Sequence, residues 1–162
     1  MDKGLVRLEK KSVIKKLVKE KKAKLKEKGE ELKLIEKQLE DASGAISTNP
    51  ETENDKKAYG RIKAEIEKTI GDYQKVIETL KSFSAENREI VAGALVEISI
   101  DKKRGFYLVV PGASVCPIPI KIKGRVLNFV SVKSPVGQAI LGLRAGDKTR
   151  ANGGVIEIIS VQ

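Results

Sequence analysis

Five carboxylates in one short stretch are the residues of this sequence best suited to chemistry. Residues 40–55 contain no basic side chain, and their acidic side chains are Glu40, Asp41, Glu51, Glu53 and Asp55. Carboxylates on a small exposed apex can complete a Mg²⁺ site that belongs to another protein, because Mg²⁺ is typically held by one or two carboxylates together with waters and substrate oxygens. The same pattern is also typical of a solvated turn, in which acidic side chains stabilise the N-terminus of a helix.

The rest of the composition excludes several classes of catalytic site. The chain of 162 residues has no histidine and a single cysteine, Cys116. It therefore has no histidine-based nucleophile pair, no histidine-ligated metal and no disulfide within the chain. Cys116 lies between Val115 and Pro117, which favours a core or loop residue over a reactive thiol.

The carboxylates lie between two segments with heptad spacing. In the second segment, alternating steps of three and four residues connect Tyr59, Ile62, Ile66, Thr69, Tyr73, Val76, Leu80 and Phe83. The first segment repeats every seven residues at Val18, Leu25, Leu32 and Leu39, and the intervening positions hold Ile14, Lys21, Lys28 and Ile35. This spacing predicts two long helices packed along one seam, with the lysine stems along its edge.

A short turn connects the two predicted helices. Thr48 or Asn49 can cap the second helix, with Pro50 and Glu51 in its first turn. A short connection makes the two helices antiparallel neighbours. We therefore predict an antiparallel coiled-coil arm over residues 1–87, with residues 40–55 as its acidic tip.

The charge of the chain is uneven around this tip. The 32 basic and 22 acidic side chains give a net charge of +10, and residues 1–39 alone carry 14 basic and 7 acidic groups. The lysines between Lys15 and Lys28 can contact nucleic acid electrostatically, since neutralising phosphates requires only Lys and Arg. The basic groups at Lys102–Arg104 and at Lys121, Lys123 and Arg125 are more typical of a hairpin turn and of solvated strand faces.

The C-terminal part has the pattern of a small sheet. Its Val- and Ile-rich runs predict five strands, at 94–100, 105–110, 118–123, 126–132 and 154–161. Between the last two strands, Ser134 at the N-cap, Pro135 at the first helical position and Gly142 after the end predict one short helix. The predicted fold class is α+β: a long helical hairpin followed, over residues 88–162, by a sheet domain with one helix.

Several stretches resemble the Gre family of bacterial transcript-cleavage factors. Residues 134–147, SPVGQAILGLRAGD, are similar to the family's S-P-(L/I)-x-x-x-L-(L/I)-G-x-x-x-G-D stretch. Residues 90–98, IVAGALVEI, resemble its opening strand, and residues 154–161, GVIEIISV, fit its ending. The length, the domain order and the position of the acidic tip are similar as well, so the resemblance covers nearly the whole chain.

The resemblance implies a fold, a partner and a mechanism. The C-terminal domain would have an FKBP-like fold and would dock on RNA polymerase beside its secondary channel, through Ser131, Ser134 and Pro135. The arm would enter the channel, where tip carboxylates help to hold the second Mg²⁺ that activates water for cleaving backtracked RNA, so contact with the nascent RNA 3′ end is indirect. The protein would then be an accessory factor and not itself an enzyme, with no cofactor of its own beyond Mg²⁺ shared with the polymerase.

The tip departs from the family pattern D-x-x-E-N-A-E-Y, whose Asp and first Glu are the catalytic pair. Aligning Glu53-Asn54 with the E-N places Pro50 at the Asp position and Lys56 at the second Glu. Glu53 is therefore the one matched carboxylate, and Glu51 and Asp55 are the candidates to replace the missing Asp. An alternative within the same family is a regulator that occupies the channel without promoting cleavage.

Two other classes of function remain open. An FKBP-like fold would also suit a peptidyl-prolyl isomerase, although the C-terminal domain has only Phe106, Tyr107 and Phe129 to line a proline pocket. A plain coiled-coil adaptor would not need the tip charges. No segment is long and apolar enough for a membrane span or a signal peptide, so we expect a cytoplasmic protein, without a membrane partner and monomeric.

Overall fold

The computed structural model describes residues 8–44, 50–83, 85–112 and 118–162. Its elements are, in chain order, α1 Lys10–Gly44, α2 Pro50–Ser82, β1 Leu95–Ile100, β2 Lys103–Val110, β3 Ile120–Ile122, β4 Arg125–Ser131, α3 Pro135–Ile140, β5 Lys148–Ala151 and β6 Gly154–Val161. The α+β fold class is confirmed: a long α1–α2 hairpin precedes a six-stranded mixed sheet with one short helix. Cys116 and the candidate helix caps Thr48 and Asn49 lie outside the described residues.

The described residues divide into two compact units. The hairpin unit is Leu17–Thr79, and the sheet unit combines the described part of Met1–Lys16 with Leu80–Gln162. The start of α1, up to Lys16, and the end of α2, from Leu80, therefore belong to the sheet unit. The division into domains at residues 87 and 88 stays a prediction from the sequence.

Contacts in the hairpin unit show that α1 and α2 are antiparallel. The Lys21 ammonium lies 5.7 Å from the centroid of the Tyr73 ring, and Lys63 Nζ lies 3.2 Å from Glu36 Oε1. An earlier residue of α1 thus contacts a later residue of α2, and a later residue of α1 contacts an earlier residue of α2. The predicted positions of Lys21 and Lys28 at the edge of the seam are also confirmed, because both are half-buried.

Of the predicted seam residues of α2, all but Ile62 are buried or half-buried. Tyr59, Ile66 and Tyr73 are buried or half-buried, but Ile62 is 40% exposed, whereas Ile77 is only 6% exposed. The half-buried Lys63 therefore replaces Ile62 in the seam. Its stem covers apolar surface while its charge meets Glu36 and Glu67, an arrangement that a pattern of apolar residues cannot reveal.

The sheet unit has the strand order β3-β4-β2-β1-β6-β5. β2 and β4 are parallel, and all other neighbouring strands are antiparallel. The sequence predicted five of these strands and missed β5, whose residues Lys-Thr-Arg-Ala contain no Val or Ile. β5 is an edge strand, where charged side chains are common because they discourage pairing with other chains. The predicted turn at Lys102–Arg104 is shifted too, since Lys103 and Arg104 already belong to β2.

Both faces of the sheet are buried. On one face, Val96, Ile98 and Val109 pack in a core with Ile140 of α3. Neighbouring strand residues point to opposite faces, so Leu95, Leu108 and Leu127 face the other side, and they are fully buried as well. The segments around the start of α1 and the end of α2 contribute further buried residues to this unit, Leu8, Val13, Leu80 and Phe83.

Candidate functional site

The acidic tip lies at the two helix ends of the hairpin unit. α1 ends at Gly44 and α2 begins at Pro50; residues 45–49 are outside the described part of the chain. Glu51 occupies the first turn of α2, as predicted, and Glu53 lies there too; the positive end of the helix dipole stabilises both carboxylates. Asp41 lies in the last turn of α1, which contains no basic residue. A carboxylate at that negative helix end does not stabilise the helix, so helix stability does not account for it.

Helical geometry separates the three predicted tip residues. Glu51 and Asp55 are four residues apart and lie on one face of α2. Glu53, two residues from each, points about 200° away around the helix axis. All three side chains are exposed. Glu51 and Asp55 therefore form a pair that can meet one cation, and Glu53 faces elsewhere.

No larger carboxylate group forms in the described residues. Within them, no three Asp, Glu, His or Cys side chains lie close enough to hold a metal ion together. Two carboxylates suit a Mg²⁺ ion whose other ligands come from waters, substrate or a second protein. The relative importance of Glu51, Glu53 and Asp55 stays a prediction.

The second candidate site is the turn between β4 and α3 in the sheet unit, and the structure brings its three predicted residues together. Ser134 caps α3: its hydroxyl accepts the N–H of Gly137 at 3.0 Å and donates to the carbonyl oxygen of Ser131 at 2.7 Å. The Ser131 hydroxyl accepts the N–H of Lys133 at 3.2 Å. Both serine side chains are thus engaged within the turn.

Of the three predicted residues, Pro135 is the one that is exposed to solvent. It is exposed at the first position of α3, and Gln138, one turn further, is exposed beside it. Leu141, after the last helical residue, is 40% exposed. These residues give the outer side of α3 a small, partly apolar surface, held in place by the serine turn.

Sequence reasoning did not identify a cavity in the sheet unit. It has a volume of about 520 Å³ and is lined by Glu9, Lys10, Lys11, Glu86, Asn87, Val161 and Gln162. Lys10 is only 5% exposed, and its ammonium donates to the carbonyl oxygen of Ala85. Burial lowers the pKa of Lys10, and nearby Glu86 partly opposes that effect. In the sequence, Lys10 is one of many lysines in a helical segment, so no pattern marks it as buried.

Gln162 closes one side of this cavity. Its side-chain oxygen accepts the N–H of Lys10 at 3.2 Å, and its side-chain nitrogen donates to the carbonyl oxygen of Leu8 at 2.9 Å. The amide thus satisfies backbone groups at the beginning of α1. The lining has two acidic and two basic side chains and no aromatic residue.

No protein-family model matches the chain, and no curated protein sequence matches it with significant similarity. In the described parts of the chain, no helix is both long and apolar enough to span a membrane.

Proposed function

We propose that this protein is a regulator of transcription elongation that binds bacterial RNA polymerase at its secondary channel, as a relative of the Gre family. The observation that carries the proposal is the acidic end of an otherwise basic helical hairpin. The sheet unit, with an FKBP-like fold, supplies the docking surface around Pro135. The resemblance of residues 134–147 and the built serine turn support this assignment.

The charges of the hairpin suit a channel with a cation at its end. The tip carries five carboxylates, whereas the rest of residues 17–79 carries 14 basic and 9 acidic side chains. The basic shaft is attracted by acidic channel walls, while the tip is repelled by such walls and gains only by approaching a cation. In a polymerase, that cation is the Mg²⁺ of the active site, which promotes phosphodiester cleavage by activating water.

Occupation of the channel without cleavage is the second candidate within this function. It is favoured by the helical start of α2, because Pro50, at the family's Asp position, is the first residue of the helix and offers no carboxylate. It is favoured as well by the separation of Glu53 from Glu51 and Asp55 around α2. The pair that remains, Glu51 and Asp55, holds a different position from the family's catalytic pair.

The test is RNA release from stalled, backtracked transcription complexes. We compare the wild-type protein with Glu51→Ala, Glu53→Ala and Asp55→Ala, and use Glu65→Ala, an exposed glutamate further along α2, as the matched control. Cleavage that depends on the tip residues and not on Glu65 supports the metal-assisting function. Inhibition of both cleavage and elongation that survives the triple tip substitution supports channel blocking. A protein that binds polymerase and changes neither reaction contradicts both.

A peptidyl-prolyl isomerase is the alternative from another class. Such an enzyme requires an aromatic-lined pocket for proline, and the cavity described above has no aromatic lining. Phe106 is buried, and Tyr107 and Phe129 are half-buried in the sheet. An isomerisation assay on a short proline peptide separates the two classes, because the elongation regulator predicts no acceleration.

A further inference from the structure

The topology of the sheet unit brings three tight turns to the same end of the sheet. β2 and β4 are parallel neighbours, with Phe106 opposite Leu127, so both strands begin at this end. The turns that precede them, Asp101–Lys102 and Lys123–Gly124, therefore lie side by side. β6 is antiparallel to β1, with Ile100 opposite Ile156, which places the Asn152–Gly153 turn at the same end.

These turns collect basic side chains that are far apart in the sequence. We call them the basic turn cluster: Lys102, Lys103, Arg104, Lys123, Arg125 and Arg150. Five of the six are exposed and Arg125 is half-buried, with its guanidinium 5.8 Å from the centroid of the Phe106 ring. Among the described residues, none of the six has an ion-pair partner. The one acidic residue of the turns, Asp101, instead accepts the backbone N–H of Val155 at 3.1 Å.

The net charge of the chain is concentrated in this unit. Residues 17–79 contain 14 basic and 14 acidic side chains, so the hairpin unit is neutral. The sequence of the sheet unit contains 18 basic and 8 acidic side chains and thus carries the whole excess of +10. A surplus of this size on a small unit favours an anionic partner.

The backbone conformation of the turns independently indicates that the lysine side chains have a function. In all three turns both loop residues have positive φ, with values of 47° and 70° at Asp101 and Lys102, 49° and 77° at Lys123 and Gly124, and 51° and 81° at Asn152 and Gly153. This is the type I′ hairpin, which strongly favours Asn, Asp and Gly. Lys102 and Lys123 are strained in this conformation, whereas Asn152 and Gly153 are residue types that favour it. Because Asn or Gly at these two positions would remove the strain, the presence of lysine indicates that its side chain has a function.

We propose that the basic turn cluster binds the sugar–phosphate backbone of a nucleic-acid duplex. Neighbouring turns are two strands apart, about 10 Å, and the three turns span about 20 Å, so they can contact several phosphates of one duplex. In the described part of the sheet unit no aromatic side chain is exposed, which disfavours the base stacking that single strands require. Phosphate contacts of this kind position a duplex without reading its sequence.

The cluster and the proposed polymerase-docking turn lie at opposite ends of the sheet. β4 begins at Arg125, within the cluster, and ends at Ser131, within the docking turn. A partner at one end therefore leaves the other end accessible. The inference also stands without the proposed function, because it rests on the turns alone.

The experiment measures binding of the full chain to a short mixed-sequence DNA duplex, and to the RNA duplex of the same sequence, by fluorescence anisotropy between about 50 and about 200 mM salt. The test variant is Lys102→Gly with Lys123→Asn, which removes two charges and relieves both strained residues. The control is Lys133→Asn with Lys148→Thr, which removes two exposed lysines away from the three turns. We expect the test variant to bind on the order of tenfold or more weakly at low salt, and the slope of log affinity against log salt to fall in magnitude by about 2. We expect the control variant to stay near the wild type.

The other outcomes of this experiment also bear on the proposal. Tighter binding of one duplex identifies DNA or RNA as the source of the phosphates, and equal binding supports recognition of the backbone alone. Since the test variant relieves strain, its melting temperature is expected to be at least that of the wild type, so weaker binding cannot be ascribed to unfolding. The proposal is overturned if both variants lose affinity equally, if a single strand binds more tightly than the duplex, or if polyglutamate binds as tightly as the duplex, which would indicate an acidic protein partner.

Discussion

The backbone of Gly137 in α3 lies so close to the carbonyl group of Ser131, at the end of β4, that a Cβ atom on Gly137 would stand 1.9 Å from the Ser131 oxygen. The neighbouring hydrogen bonds through Ser134 depend on this approach, because the Gly137 N–H is the one that the Ser134 hydroxyl accepts. A residue without a side chain is therefore required for the turn that presents Pro135.

Gly137→Ala should destabilise the sheet unit. The new methyl group would meet backbone atoms that cannot move aside, and overpacking of this kind lowers the free energy of unfolding by about 1–3 kcal/mol. Thermal or urea denaturation measures the effect. Ser134→Ala removes the cap without a clash and should lower stability by about 1 kcal/mol. A Gly137→Ala protein as stable as the wild type would show that the turn does not have this geometry.

Replacing the glycines within α2 should have the opposite effect and raise stability. Gly60 and Gly71 are interior residues of α2, and nothing lies within 4 Å of the position of a Cβ atom at either of them. Gly60→Ala and Gly71→Ala should each raise the free energy of unfolding of the hairpin by about 0.5–1 kcal/mol, because Ala loses less conformational freedom in a helix. Ala64→Gly, at an exposed position of the same helix, should lower it by a similar amount. Stability that changes in the same direction in all three variants would contradict the prediction.

Pro135→Glu should weaken binding to RNA polymerase more than it weakens folding. A glutamate is well tolerated in the first turn of a helix, so the melting temperature should change little, while a bulky charge at the centre of a docking surface should weaken binding at least tenfold. The control is Val126→Glu, which also replaces an exposed apolar residue of the sheet unit with a charge. Equal effects of Pro135→Glu on stability and on binding would indicate that the residue is structural only.

Lys10 predicts a dependence of stability on pH. Burial lowers the pKa of Lys10 in the folded protein below its ordinary value of 10.5. At a pH between the lowered pKa of the folded state and the ordinary pKa of the unfolded chain, the unfolded chain binds more protons than the folded protein. The free energy of unfolding therefore rises with pH in this range. Relative to Lys10→Met, the wild type should therefore gain stability as the pH rises through the lowered pKa toward 10.5. Urea denaturation from neutral pH to about pH 10 measures this difference. A wild type that loses stability relative to Lys10→Met over that range would contradict the assignment.

The features predictable from the sequence are those that local patterns determine. The heptad repeat predicted both long helices, and Ser134, Pro135 and Gly142 predicted α3 with its cap. Patterns of apolar residues were insufficient where a charged side chain takes an inner position, as Lys63 does in the seam, or where an edge strand is polar, as β5 is.

Properties that arise from three-dimensional placement required the structure. The tip carboxylates are close in sequence, but the helical start of α2 at Pro50 turns Glu53 away from Glu51 and Asp55. Conversely, the basic turn cluster joins residues from three distant turns, because β2 and β4 are parallel neighbours. No spacing in the sequence indicates that pairing.

Direct binding to core RNA polymerase is the measurement that tests the central proposal most directly. The purified protein is titrated against bacterial core enzyme at low ionic strength, since surface charges attract most strongly there. We expect saturable binding that Pro135→Glu weakens and that Val126→Glu leaves nearly unchanged. Absence of binding at low salt would contradict the assignment as a polymerase-bound elongation regulator, whatever the tip carboxylates can do.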